Sequence, residues 1–376
     1  PEGRAYWNQD RWKKVTTSSR KLDHIRICTE KPVDAIERPF QDLVLIHRAL
    51  PEIDDADIDT SCEFMGKKLR APLMISAMTG GHPGVKQINV RLGEAASRMG
   101  IALGVGSQRA ALEDKTLEGT FSAVRDAAPD IPIIGNIGAV QLKRYGPEIL
   151  ERLADMIDAD GIAVHLNFLQ ESIQPEGDKD AGGVLEAIKA AARGSVPIMV
   201  KETGAGISRE VAADLVSAGV KMIDVSGVGG LSWAGVEAFR AAEVGDDDLE
   251  QMGRLFESWG IPTPVSIVEC RAAGAFVISS GGVRSGLDAA KSLALGAGLA
   301  GTALPLLGPA TKDAKEVIKV MNDYIRALRI TMFLTGCRKV DQLAGVPLVV
   351  LGRTREWLDA RGFDLRAFSV YRELAK

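Results

Sequence analysis

Eight short apolar runs punctuate the chain, beginning at Pro72 (PLMISAMTG), Ile101 (IALGVG), Ile131 (IPIIGNIG), Asp160 (DGIAVHLN), Pro197 (PIMVKE), Lys221 (KMIDVSG), Phe276 (FVISSGG) and Gly298 (GLAGTAL). They are nearly continuous rather than alternating, the pattern of strands covered on both faces. Between them lie amphipathic segments such as NVRLGEAASRM (Asn89 to Met99), EILERLADMIDA (Glu148 to Ala159), GVLEAIKAAARG (Gly183 to Gly194) and REVAADLVSAG (Arg209 to Gly219). Each sets Leu, Ile, Val or Ala at i, i+3 and i+4 with charges opposite, and several close on Gly. The first four runs start 29, 30 and 29 residues apart, the length of one strand and helix unit. Eight such units predict an α/β fold, a (β/α)8 TIM barrel. A doubly wound open sheet is the alternative, but no GxGxxG follows the first run.

Two regions break the rhythm. About 70 residues precede the first run, and the sixth and seventh start 55 residues apart, from Lys221 to Phe276. The excess, at about 227–262, is expected in an enlarged βα loop on the catalytic face, placed to act as a lid. Its acidic run VGDDDLEQ (Val244 to Gln251) reads as solvated loop. The expected organisation is an N-terminal arm over 1–70, one barrel over 71–308, and a helical segment over 309–376 packed on the barrel.

Composition narrows the classes of function. With 46 Lys+Arg against 50 Asp+Glu, the chain of 376 residues has a formal charge of −4 and no global basic surface, so no nucleic-acid partner is expected. Its 40 glycines, without a collagen-like period, suggest tight turns or close backbone approach to a ligand. Four scattered cysteines with no CxxC pair read as reduced thiols, and hence a cytoplasmic protein. The first 21 residues lack the apolar core of a signal peptide. The uncharged stretch from Leu293 to Ala310 is dense in Gly and Pro and reads as a buried strand with its flanks, not a membrane span.

In a barrel of this kind the chemistry belongs at the C-terminal ends of the strands. After the seventh, SSGGVRSG (Ser279 to Gly286) opens a helix and carries Arg284, and the eighth ends in Ala300, Gly301 and Thr302. Together they suit a phosphate, with ordinary glycine turns as the plain alternative. Lys201 ends the fifth strand. It is costly to bury without a negative partner, and could serve as a Schiff-base nucleophile, a phosphate ligand or a charge set against an electron-rich cofactor. Its structural alternative is an ion pair with Glu202 or Asp224. Ala77, Met78 and Thr79, then Ser107, then Asn136 follow on successive strand ends and suit a flat polar ring, a nucleotide or flavin, across the barrel mouth. The fourth run leads into HLNFLQESIQPEGD, where His165, Asn167, Gln170, Glu171, Gln174, Glu176 and Asp178 crowd one loop. Glu171 among neutral neighbours suits Mg²⁺, which takes few ligands from protein and the rest from phosphate and water. Pairing with a basic residue is the alternative. Arg20 and Lys21 in the arm, with Arg109 after the second run, add cations.

Assembled in this order, the motifs resemble the type 2, FMN-dependent isopentenyl-diphosphate isomerases. The resemblance is carried by Arg20 to His24 (RKLDH), GVGSQRAAL, GNIGAVQL, HLNFLQESIQPEGD, VKETGAGIS, SGVGGLSWAGVE and SSGGVRSGLDAAK, over roughly residues 18 to 308. The long string HLNFLQESIQPEGD is specific, whereas SGGVRSG is common to many FMN barrels. The resemblance implies that Ala77, Met78, Thr79, Ser107, Asn136, Lys201 and Ser226 surround the flavin ring and ribityl chain. It places Gly282, Val283, Arg284, Ala300 and Gly301 on the FMN phosphate. Arg20, Lys21, Ser107, Arg109, His165 and Asn167 would bind the substrate diphosphate, with Gln170 beside the substrate and Glu171 on Mg²⁺. Leu231 stands where the family commonly has Thr.

The implied reaction interconverts isopentenyl and dimethylallyl diphosphate in isoprenoid biosynthesis, without net redox change, on FMN kept reduced by NAD(P)H. Its physical problem is protonating an unactivated alkene, which builds positive charge on a tertiary carbon. The expectation is a proton moved near flavin N5, an anionic flavin favoured by Lys201, and Gln170 positioning the alkene, since a neutral amide is a poor acid or base. Glu171 with Mg²⁺ and the cationic set would hold the diphosphate. The family implies a homo-oligomer, tetramer or octamer, and no membrane partner. The runner-up is an FMN-dependent 2-hydroxyacid oxidase or dehydrogenase. Such an enzyme needs a histidine base on the late βα loops, where none of the chain's four histidines (His24, His47, His82, His165) lies. A non-catalytic phosphate-binding barrel is the third reading.

Overall fold

The computed structural model describes residues 17–35 and 37–370, so the expectation for the chain's first 16 residues lies outside it. Three short strands precede the barrel: β1 (Leu43–Leu45), then β2 (Cys62–Phe64) and β3 (Lys67–Leu69), joined as a hairpin. The hairpin turns on Met65 and Gly66, with φ of 51° and 75°, the two positive values that suit a tight two-residue turn. Eight parallel strands then close on themselves: β4 (Leu73–Ile75), β5 (Ala102–Gly104), β6 (Ile133–Gly138), β7 (Gly161–Leu166), β8 (Ile198–Glu202), β9 (Met222–Asp224), β10 (Phe276–Ser279) and β11 (Leu299–Thr302). Each grew from one of the eight apolar runs, and β11 pairs with β4 to complete the TIM barrel.

Two cores flank that wall. Inside, Met74, Ala102, Ile134, Ala163, Met199, Ile278 and Leu299 meet Phe64 and Leu69 of the hairpin, which plugs the N-terminal end of the barrel. Outside, helix faces cover the strands. In the helix Lys86–Met99 the buried positions include Ile88, Leu92, Ala95, Ala96 and Met99, one stripe at helical spacing, and Gly100 ends it in a left-handed turn with φ 62°. Burying each such large side chain stabilises the fold by about 1.5–3 kcal/mol. The uncharged stretch from Leu293 forms β11 and the helix Leu304–Lys312. No helix among the described residues is long and apolar enough to cross a membrane.

The enlarged connection after β9 is not a loop. It holds the helices Trp233–Val244 and Asp247–Leu255, and the first buries Ala234, Val236, Ala238 and Ala241. The acidic run is their junction: Gly245 turns the chain at φ 69°, and the buried Asp246 caps the second helix by accepting from the Leu249 amide at 3.2 Å. Sequence alone read this run as solvated loop; Asp247 and Asp248 are indeed exposed, but they form a first helical turn and Asp246 its buried N-cap, positions that want the same charges.

The arm roofs the barrel mouth. Its helix Thr17–Glu30 lies on Trp233–Val244, with Ile27 and Val33 buried against Val236. Arg26 reaches both oxygens of Glu243, at 2.8 and 2.6 Å. The chain then passes Leu231, with the Ala35 amide donating to Gly230 at 2.7 Å and the Ser232 amide to Val33 at 3.1 Å. The C-terminal segment is not wholly helical either. After the 22-residue helix Ala314–Thr335 comes β12 (Leu348–Val350), which runs antiparallel to β1, pairing Leu43 with Val350 and Leu45 with Leu348.

Candidate active site

One chamber opens at the C-terminal ends of the barrel strands, beneath the arm helix. Its floor is made by strand ends: Ser76 to Thr79 after β4, Gly106 and Ser107 after β5, and Asn136 on β6. His165 on β7, Lys201 on β8 and Ser226 after β9 continue the ring. Backbone approaches closely here. A Cβ on Gly106 would come within 2.5 Å of the Thr79 carbonyl, and one on Gly301 within 2.4 Å of Ser76 Oγ. The hydroxyls of Ser76 and Thr79 are buried and lack a protein partner, although both residues line the chamber. Unpaired buried hydroxyls on a chamber wall fit a ligand with polar edges. Ser226 holds φ 33°, a strained value for a residue with a side chain.

Lys201 Nζ donates to its neighbour's carbonyl, Glu202 O, at 2.7 Å, and lies 3.9 Å from Asp224 Oδ2. The Glu202 carboxylate is engaged elsewhere, accepting from the Thr203 and Gly204 amides at 2.6 Å each and from Ala205. Burial pushes that carboxyl up to about 7 against the three amides that favour its charge. Of the two ion-pair partners considered for Lys201, only Asp224 therefore stands within reach.

Between β10 and the helix Gly286–Ala294, Gly281 and Gly282 take φ of 90° and 82°. A Cβ on Gly282 would stand 2.3 Å from Gly229 O, so backbone of this turn and of the loop after β9 touch. Successive amides in such turns form anion-binding concavities. Arg284 lines the chamber but is anchored to the arm: Nε lies 3.3 Å from Asp34 Oδ2, and Nη2 also meets that carboxylate. Two expected phosphate contacts, Val283 and Ala300, have buried side chains outside the lining; the Val283 carbonyl takes the hydroxyls of Thr302 and Tyr324, each at 3.1 Å. Only backbone of these two could serve a phosphate.

At the other end Arg20 and Lys21 descend from the arm helix towards Arg109, the first residue of the helix Arg109–Glu113. Burial, with Arg20 and Arg109 alongside, lowers the Lys21 ammonium to about 8. Burial and the charges of Lys201, Lys21 and Arg109 hold the His165 imidazole down to about 3, and its Nδ1 lies 2.7 Å from Asn136 Oδ1. Such a ring is neutral at physiological pH. Arg20 and Arg109 meet Glu176 and Glu113, at 3.3 and 2.7 Å, so the cations are partly compensated, but three of them converging on one end of the chamber still suits a polyanion.

The loop after β7 becomes the short helix Phe168–Ile173. Glu171 Oε1 accepts from Asn167 Nδ2 at 2.8 Å and Oε2 from the Asp178 amide at 2.6 Å. Each oxygen keeps a second lone-pair direction, which a cation could use. No group of three His, Cys, Asp or Glu among the described residues could hold a metal ion by itself.

Residues that sequence reasoning passed over stand behind this wall. Gln170 Nε2 donates to Glu237 Oε1 at 3.3 Å. Glu237 also receives His24 Nε2 at 3.0 Å and Arg240 Nη1, and the Trp233 ring meets the His24 ring edge-on, centroids 5.0 Å apart. A Glu and an Arg three apart among Ala, Val and Phe, in WAGVEAFRAA, was the available signal. Burial of unpaired charge is prohibitive, so such a pair must be mutually satisfied or functional.

The fold and site define a class: a TIM barrel with a glycine-lined turn after the seventh barrel strand and a lysine at the end of the fifth. Residues 163–348 match the FMN-dependent dehydrogenase family. A mandelate oxidase has the same fold at 18% identity, with a TM-score of 0.59 over 92% of this chain and 95% of that one. An isopentenyl-diphosphate delta-isomerase of Methanothrix thermoacetophila is 58% identical over 95% of this chain and all of its own length. One of Archaeoglobus fulgidus is 50% identical over 93% of this chain, again over its full length. The chain belongs to the isopentenyl-diphosphate delta-isomerase family, of the FMN-dependent type.

Proposed function

We propose that the chamber interconverts isopentenyl and dimethylallyl diphosphate on reduced FMN with Mg²⁺. The observation that carries this reading is the pairing of a cation-rich end, made by Arg20, Lys21 and Arg109, with Gln170 and Glu171 on the same wall. The glycine turn after β10, Arg284, the unpaired hydroxyls of Ser76 and Thr79, and Lys201 would hold the cofactor. When bound, the reduced flavin supplies an electron-rich ring and an exchangeable proton at N5. Lys201 would set a positive charge against that ring. Glu171, through Mg²⁺, and the three cations keep the diphosphate bound, which opposes its departure from an allylic product. Gln170, with its amide turned by Glu237, orients the alkene. Trp233 and the arm helix keep bulk water from a cationic carbon.

The oxidase reading is disfavoured by the same geometry. His165 is the histidine nearest Lys201 in register, yet its low basicity makes it a poor acceptor for a hydroxyl proton. The reading takes NAD(P)H as reductant, a cytoplasmic setting and a tetrameric or octameric assembly. Exposed Val44, Ile46, Leu50, Ile330 and Leu334 support self-association. The test is the absorbance spectrum of the purified protein, followed by turnover of isopentenyl diphosphate with Mg²⁺ and dithionite or NAD(P)H. A flavin spectrum and FMN-dependent isomerisation are expected. Turnover of lactate by hydride transfer, or isomerisation indifferent to FMN, would overturn it.

A further inference from the structure

Three titratable side chains share one row across the barrel mouth: His165 on β7 is in register with Lys201 on β8, and Lys201 with Asp224 on β9. Equal register on parallel strands points side chains the same way, so the three face one layer. Asp224 is fully buried. Its Oδ1 accepts from Ser280 Oγ at 2.5 Å, while Oδ2 has no hydrogen-bond partner and lies 3.9 Å from Lys201 Nζ. Burial pushes the Asp224 carboxyl up, opposed by the Lys201 charge and by the Ser280 and Ser226 donors.

Every other group facing Lys201 fails as a counter-charge. His165 is neutral, and Lys21 and Arg109 carry its own sign. The Glu202 carboxylate is turned to the amides after it, and Ser280 is neutral. An ammonium in a dry barrel with no opposite charge loses its proton readily, because desolvation disfavours the charged form. A carboxylate oxygen left unpaired in the interior would be costly unless that ammonium compensated it.

We propose that Asp224 is the positioning counter-ion of Lys201, keeping that ammonium protonated and so setting how strongly the site prefers reduced over oxidised FMN. The proposal rests on the FMN reading above. Asp224 does not line the chamber and touches no ligand; it acts through Lys201.

The test compares wild-type, Asp224→Asn, Asp224→Glu and Lys201→Ala proteins for the affinity of oxidised and of dithionite-reduced FMN, and for the midpoint potential of bound FMN between pH 6 and 9. Asp224→Asn is expected to weaken reduced FMN about tenfold more than oxidised, which lowers the two-electron potential by about 30 mV. The loss should shrink towards pH 6, and Asp224→Glu should restore most of it. Lys201→Ala should show the same loss at every pH. A potential that rises or stays level in Asp224→Asn, while Lys201→Ala lowers it, would overturn the proposal and leave the FMN reading intact. Failure of the wild-type protein to bind FMN would instead remove the reading itself. If Asp224→Asn does not fold, Asp224→Glu carries the test: the retained carboxylate must keep the preference for reduced over oxidised FMN within a few-fold of wild type from pH 6 to 9, and a preference lost to the level of Lys201→Ala counts against the proposal.

Discussion

His24 Nε2 stands 3.0 Å from Glu237 Oε1, joining the arm helix to the helix that walls the chamber, with the Glu237 side chain fully buried. The same carboxylate takes Arg240 and Gln170. Burial alone would raise the Glu237 carboxyl, but the His24 hydrogen bond and the Arg240 charge outweigh it and hold it at about 2. Folded, the group sits below its ordinary value. Its stabilising contribution is therefore present above about pH 4.5 and is lost as pH falls towards 2. Replacing Glu237 with Gln should cost about 1–3 kcal/mol, because the buried Arg240 loses one carboxylate partner and keeps Glu176 at 3.2 Å. Thermal unfolding at pH 7 and pH 3 checks this: the difference between variant and wild type should narrow at the lower pH. A variant as stable as wild type at pH 7 would sink the argument.

Lys21 gives a second pH signature. Lowered to about 8 in the free protein, its ammonium should be restored by an arriving diphosphate. Binding above pH 8 then takes up a proton and weakens up to about tenfold per pH unit. Lys21→Arg, which stays charged, should abolish the decline. Calorimetric titration of the substrate diphosphate in buffers of different ionisation enthalpy measures the proton count directly, and a count of zero at pH 8.5 would refute it.

The turn after β10 makes a conformational prediction. Gly282→Ala would place a methyl 2.3 Å from Gly229 O at φ 82°. The left-handed backbone alone costs about 1–3 kcal/mol for a residue with a side chain, and the clash forces the two turns apart. FMN affinity, followed by quenching of flavin fluorescence, should fall at least tenfold. Gly182→Ala, which meets open space, serves as the control and should leave it unchanged.

For Glu171→Gln, the Mg²⁺ concentration giving half-maximal activity should rise by an order of magnitude or more while bound FMN is retained. The single Gln oxygen can still accept from the Asp178 amide, and Asn167 can turn its amide to accept from the new NH2, so the loop should keep its shape. An unshifted Mg²⁺ dependence would remove the metal role.

The barrel was legible because both faces of its strands are covered, which leaves an apolar run that few other structures require. The strand ends were legible for the same reason, since the last polar residue of each run had to face the mouth. What stayed hidden belongs to the connection after β9. Its acidic junction looked solvated because a helix cap uses the same residue types as a loop. Glu237 and Arg240 were overlooked because two charges at helical spacing ordinarily mark a wet face, and only the arm packed on them makes it a dry one. Asp224 hid differently: it was visible as an ion-pair partner of Lys201, but its isolation from every other donor except Ser280 and Ser226 depends on neighbours from three strands. Sequence spacing also could not reveal that the side chains of Val283 and Ala300 are buried outside the chamber lining, which leaves only their backbone to serve a phosphate.

The pairing of β1 with β12 bears on how the chain is made. Leu43 is translated well before its partner Val350, with all eight barrel strands between them. At ~5–20 residues per second, the apolar edge of β1 waits roughly 15 to 60 s for its partner. During that interval it is an unpaired strand beside a barrel already able to form. Protection of the newly made protein against aggregation thus rests on a segment translated only after the whole barrel, and a ribosome that stalls before Leu348 releases a barrel with an open edge.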